Sequence, residues 1–128
     1  TQYLNYYYVG LRMYDSTPNK YIAHSTFYLG DYESLFSRGL AFDDTDQLYV
    51  LKCREDSTSY WTNDAQLYKV DSQLGAQDYN PALVGTLPVV LDSLSEITAL
   101  DFHDGKLYSY MSPGGIIEID PQTADFTF

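Results

Sequence analysis

Short runs rich in Tyr, Leu, Val and Ile are broken every few residues by Asp, Asn, Gly, Pro and Ser, the alternation of strand and turn that successive hairpins require. Similar runs recur along the chain at a spacing of about 50 to 60 residues, and the repeated strands are apolar on both faces. Together these observations predict an all-β fold: a partial β-propeller of four-stranded antiparallel blades, with about two and a half blades present. Composition agrees. The chain is 45% hydrophobic and 16% aromatic, enough to bury a core, and its 14 Tyr outnumber 6 Phe and 1 Trp. Tyr suits strands in which the ring is half buried and the hydroxyl stays wet.

The elements follow in chain order, with strands of a blade counted outward from the channel. Residues 1–36 are read as the outer strands of a first blade, from about Tyr3 to Leu29. Leu11-Arg12-Met13-Tyr14-Asp15 matches Leu67-Tyr68-Lys69-Val70-Asp71, 56 positions later, which makes it a third strand and Tyr21 to Leu29 a fourth. Asp31 to Arg38 is the one segment whose pattern fits a short helix.

The middle blade, residues 37–91, is complete, with strands near Gly39 to Phe42, Gln47 to Cys53, Ala65 to Asp71 and Ala82 to Leu87. The last blade, residues 92–128, has strands near Ile97 to Phe102, Lys106 to Met111 and Gly115 to Asp120, then a fourth at Ala124 to Phe128 in which the chain stops. The repeat sets these boundaries. Leu40-Ala41-Phe42-Asp43-Asp44-Thr45-Asp46-Gln47-Leu48-Tyr49 aligns with Leu100-Asp101-Phe102-His103-Asp104-Gly105-Lys106-Leu107-Tyr108, with one extra residue in the first turn. Phe42 and Phe102 stand 60 positions apart, whereas Asp71 and Asp120, which close the matching third strands, stand 49 apart. The difference of 11 falls mostly in one loop.

Leu48-Tyr49-Val50-Leu51 breaks the alternation of a one-sided sheet. Propeller blades account for it, because each packs face to face against two neighbours. Asp104-Gly105 between Phe102 and Leu107 reads as a tight type I′ turn, since Gly tolerates the positive φ required.

Phe102, Asp104-Gly105, Leu107-Tyr108 and Ile117-Glu118-Ile119-Asp120-Pro121-Gln122-Thr123 resemble the repeats of a broad group of bacterial, often secreted, propeller proteins. Their pattern reads aliphatic-x-aromatic, Asp-Gly, Leu-Tyr, then aliphatic-x-Ile-Asp-Pro-x-Thr-Gly. Here Ala124 replaces the closing Gly, and the middle blade has Ser72-Gln73 where Pro121-Gln122 stands. The resemblance implies an architecture and an extracellular or cell-surface location, and no particular activity.

Eighteen acidic against 7 basic residues give a formal charge of -11, which repels phosphate backbones and anionic membranes, so neither nucleic acid nor membrane insertion is expected. The carboxylates Asp43, Asp44, Asp46, Asp71, Asp104 and Asp120 sit in turns without the spacing of a calcium loop, so no metal is expected. Cys53 is alone, which rules out an internal disulfide. His24 and His103 have no zinc spacing and no neighbouring nucleophile, and no phosphate-binding Gly motif is present; Ser112-Pro113-Gly114-Gly115 reads as a turn. No catalytic set and no cofactor follow. The chain opens at Thr1 without an initiator Met, and upstream processing is expected.

Two features point to contacts. The long loop from Cys53 to Asp64 exceeds its counterpart around Ser112 to Gly114 by about ten residues, and it carries Arg54, Glu55, Tyr60 and Trp61, a stacking surface with polar partners suited to a glycan or protein ligand. Tyr3, Tyr6, Tyr7 and Tyr8 crowd the start, where consecutive rings serve both faces of a strand and favour self-association or a joint with further blades. The expected function is a noncatalytic binding or structural module within a larger or self-assembling propeller. The alternatives are a fragment of a propeller lyase or hydrolase whose catalytic residues lie in other blades, and a self-assembling extracellular filament subunit.

Overall fold

The computed structural model describes residues 8–15, 20–28, 37–55, 62–73, 76–78, 80–87, 96–112 and 114–128. They form eleven strands: β1 (Tyr8–Asp15), β2 (Lys20–Tyr28), β3 (Ser37–Phe42), β4 (Leu48–Glu55), β5 (Thr62–Val70), β6 (Ala76–Asp78), β7 (Ala82–Leu87), β8 (Glu96–His103), β9 (Lys106–Ser112), β10 (Gly115–Ile119) and β11 (Phe126–Thr127). The fold is all-β. Among the described residues no helix is long and apolar enough to cross a membrane.

Two antiparallel four-stranded sheets have the order β3-β4-β5-β7 and β8-β9-β10-β11; these are the middle and last sheets. Their strands fall where the sequence places the strands of two repeats, except that β11 is limited to two residues. The first sheet is β1-β2-β6. Its β1–β2 hairpin matches the two strands expected between Tyr3 and Leu29, but β6 falls between the third and fourth strands of the middle repeat, where the sequence places no strand. Instead, residues 76–78 leave the middle sheet's β5–β7 connection and pair in parallel with Ser25 to Phe27 of β2. The segment thus straps two sheets together through backbone hydrogen bonds, which its composition of Ala, Gln and Asp does not announce.

Two further expectations are corrected. Ser37 and Arg38, expected at the end of a short helix, belong to β3; the rest of that segment, residues 31–36, lies outside the described residues. The long loop after Cys53 is ladder at both its ends. β4 runs on to Glu55 and β5 begins at Thr62, with Arg54 opposite Asp64 and Glu55 opposite Thr62 across a bulge. Only residues 56–61 remain between the strands, and they lie outside the described residues. Backbone groups close a hairpin whatever the side chains, so these polar residues extend a strand that their propensities argue against.

The middle sheet is buried on both faces, and Leu48 to Leu51 shows how. Tyr49 and Leu51 join Ala41, Ala65 and Leu67 in a core with Ile97, Leu100, Leu107, Ile117 and Ile119 of the last sheet. Leu48 and Val50 point the other way and pack with Val70 and Phe27, the latter from the first sheet. The four consecutive apolar residues therefore serve two cores. Each fully buried Leu, Val or Phe side chain contributes about 1.5 to 3 kcal/mol.

Small residues let the middle and last sheets approach. A Cβ on Gly39 would lie 2.6 Å from backbone atoms of Ala99 and Leu100, and one on Gly85 would lie 2.8 Å from the Thr123 carbonyl oxygen. First strand meets first strand, and fourth strand meets the turn that leads to the next fourth strand.

Turn chemistry fixes the hairpins. Asp104 and Gly105 both have positive φ, 48° and 80°, as the type I′ turn requires. In the longer turn of the middle sheet, the Asp46 N–H donates to the Asp43 carbonyl at 3.2 Å and Asp46 itself takes φ 65°. The Asp43 Oδ1 accepts the Thr45 and Gln47 N–H groups and the Thr45 hydroxyl, all within 2.9 Å. That extra residue is absorbed as an Asp-capped bulge.

Candidate functional site

The residues singled out in the sequence are not brought to one place. Arg54 and Glu55 lie on β4 at the far end of its ladder with β5, while Tyr60 and Trp61 lie outside the described residues. Tyr3, Tyr6 and Tyr7 are likewise outside them; Tyr8 opens β1 and pairs in register with Tyr28.

The opposite end of the middle sheet, where its β3–β4 turn meets the β5–β7 connection, carries two adjoining open grooves of about 560 and 530 Å3. Phe42, Thr45, Asp46, Ser72 and Gln73 line the first; Lys69, Asp71, Asp78 and Asn80 extend the second. Two carboxylates here, those of Asp71 and Asp78, are committed to folding the chain. Asp71 Oδ1 accepts the Gln73 N–H at 3.0 Å, and Asp78 accepts the N–H groups of Asp71 and Asn80, each at 3.0 Å. The Ser72 hydroxyl donates to the Asp46 carbonyl at 3.1 Å. Partial burial works to raise the Asp43 carboxyl, but the Thr45 hydroxyl, the Gln47 and Thr45 N–H groups and the Lys69 charge outweigh it and hold its pKa below the usual 3.8. Among the described residues no three His, Cys, Asp or Glu side chains converge as a metal site would need. The grooves are products of Asx turns, with no nucleophile–base pair among their lining residues.

Among the described residues one charged side chain is buried between sheets. Lys52 is 2% exposed on the face of β4 that looks toward the first sheet, with its Nζ 5.6 Å from the centre of the Tyr68 ring. The Tyr68 hydroxyl donates to Gln66 Oε1 at 3.0 Å. The amine, ring and amide fasten a polar seam beside the apolar contacts of Phe27.

Comparison with known proteins gives no family model, no curated protein and no solved structure that matches the chain. The similarity the structure does carry is internal, and it extends to individual hydrogen bonds. Asp120 Oδ1 accepts the Gln122 N–H at 2.7 Å, as Asp71 Oδ1 accepts that of Gln73. That bond, resisted by some desolvation and reinforced by the Lys106 ammonium, keeps the Asp120 carboxyl below its ordinary pKa. Tyr49 lies opposite Lys69, whose Nζ sits 5.9 Å from its ring centre; the corresponding Tyr108 lies opposite Glu118, and its hydroxyl donates to Glu118 Oε2 at 3.4 Å. Desolvation and the Glu118 charge raise the Tyr108 hydroxyl pKa.

Equivalent positions differ sharply in one property, their cover. Leu40 on β3 is 41% exposed, while its counterpart Leu100 on β8 is 8% exposed. Leu51 and Leu67 are fully buried, while their counterparts Tyr110 and Ile116 are 47% and 68% exposed. Tyr110 and Ile116 are found only by carrying the repeat from one sheet to the next.

Proposed function

We propose that the chain is a two-and-a-half-blade part of a β-propeller, a noncatalytic binding or structural module that further protein completes. The observation that carries this reading is the pair Leu40 and Leu100. Both sit at the same place in the repeat, on the side of the innermost strand that faces the preceding sheet. Leu100 packs in the core shared with a four-stranded sheet and is buried; Leu40 lies on the side of the first sheet, whose antiparallel strands, β1 and β2, match the third and fourth of a blade, and it is exposed, as is Phe42 at 43%. An inner strand pair on the first sheet is what would cover them.

Supporting the same reading, the middle sheet is apolar on both faces and stacks like strand on like strand with its neighbour, the relation that blades have around a channel. Light scattering with a thermal melt tests it. Species heavier than 14.6 kDa, or a melt without cooperativity, are expected. A monodisperse monomer that melts cooperatively overturns the reading. The binding role is assigned to the β4–β5 hairpin end with Arg54, Glu55, Tyr60 and Trp61; Trp61→Ala is expected to abolish retention on a glycan array, and a parent that retains no glycan removes glycans as the ligand.

A further inference from the structure

The middle sheet, the one four-stranded sheet described with a repeat after it, does not leave the side facing that repeat bare. In the middle sheet, Tyr49, Leu51 and Leu67 lie under β8, β9 and β10. In the last sheet the same positions are Tyr108, Tyr110 and Ile116, and Ile116 lies directly opposite Tyr110 across the β9–β10 ladder. Ala99 stands at the position of Gly39, the point where the middle sheet is most closely approached, and it too is small and exposed. The surface therefore has the residue sizes of a covered face without the cover.

We propose that this face of the last sheet docks the first sheet of a second copy of the chain, head to tail, continuing between molecules the stacking order found within one. The inference rests on the incomplete-propeller reading above. Charge selects the first sheet as the occupant. Across the first sheet, residues 8–28 and 76–78, Arg12 and Lys20 against Asp15 and Asp78 give 0; across residues 96–128, Lys106 against Glu96, Asp101, Asp104, Glu118, Asp120 and Asp125 gives -5. In a chain of net charge -11, the first sheet is the one without net negative charge, and so the one that the acidic last sheet repels least. The contact joins unlike surfaces, so copies add into a ring where the rotation closes and into an open filament where it does not.

Sedimentation of the intact chain over a range of concentrations tests this with Ile116→Asp and Ile116→Leu. Ile116 is mostly exposed, so both variants are expected to keep the parent's circular dichroism and melt. The parent is expected to associate, Ile116→Asp to raise the midpoint concentration about tenfold or more, and Ile116→Leu to leave it near the parent's. Small amounts of Ile116→Asp added to the parent are expected to lower the mean mass, because that variant still offers its first sheet and caps growing assemblies. A parent that is monomeric throughout overturns this inference, and overturns the propeller reading with it only where that monomer also melts cooperatively. Association that Ile116→Asp leaves unchanged overturns the docking surface alone, and the absence of capping overturns the head-to-tail arrangement.

Discussion

The middle and last sheets are built from the same repeat, yet one is a core element and the other is half a surface. Leu67 and Ile116 occupy one position in that repeat, on strands that match and beside Asx turns that share a hydrogen bond. One is fully buried and the other 68% exposed. Nothing in either side chain decides this. Burial here is a property of the neighbour, and the same aliphatic residue is a structural element in one sheet and a contact residue in the next.

The largest expected effect separates these two positions. Leu67→Ala removes a side chain from the core shared with the last sheet and is expected to cost about 3 kcal/mol in chemical denaturation. Ile116→Ala is expected to change stability by less than about 0.5 kcal/mol in the monomer. Equal costs would break the comparison.

Gly39 and Gly105 sharpen it next. A methyl group on Gly39 would meet backbone atoms of Ala99 and Leu100 that have nowhere to go, so Gly39→Ala is expected to force the sheets apart at about 2 kcal/mol. Gly105 has open space around its Cβ position, and Gly105→Ala costs only the left-handed backbone, about 1 kcal/mol.

Acid is expected to act alike on both sheets. Asp43 and Asp120 have folded pKa values below the unfolded 3.8, so their stabilisation is complete above that value and is lost as pH falls through the lower folded values. A melting profile that declines only below about pH 4, and declines less in Asp43→Asn and Asp120→Asn, is the expected result. A decline that the two variants leave unchanged removes these turns as its cause.

The smallest effect is expected at Ala124. It holds φ 64° where the resembling repeats have Gly, and its side chain is buried against Gly85. Ala124→Gly relieves about 1 kcal/mol of backbone strain and forfeits about 0.8 kcal/mol of methyl burial, so its melt should match the parent's closely.

Much of this was legible in the sequence, for reasons that also explain the rest. The two-faced run Leu48 to Leu51 and the positive-φ signal of Asp104-Gly105 are written in side chains, and both appear in the structure. The ladder beyond Cys53 and the parallel pairing of residues 76–78 with β2 depend on backbone groups, which composition does not report. Tyr110 and Ile116 read as ordinary strand residues, because exposure depends on whether a further sheet is present.

Hydroxyl-radical footprinting of the dilute chain tests that dependence most directly. Tyr110 and Ile116 are expected to be oxidised readily while Tyr49, Leu51 and Leu67 stay protected, and raising the concentration is expected to protect the first pair. Equal labelling of the two sets in dilute solution would contradict the account.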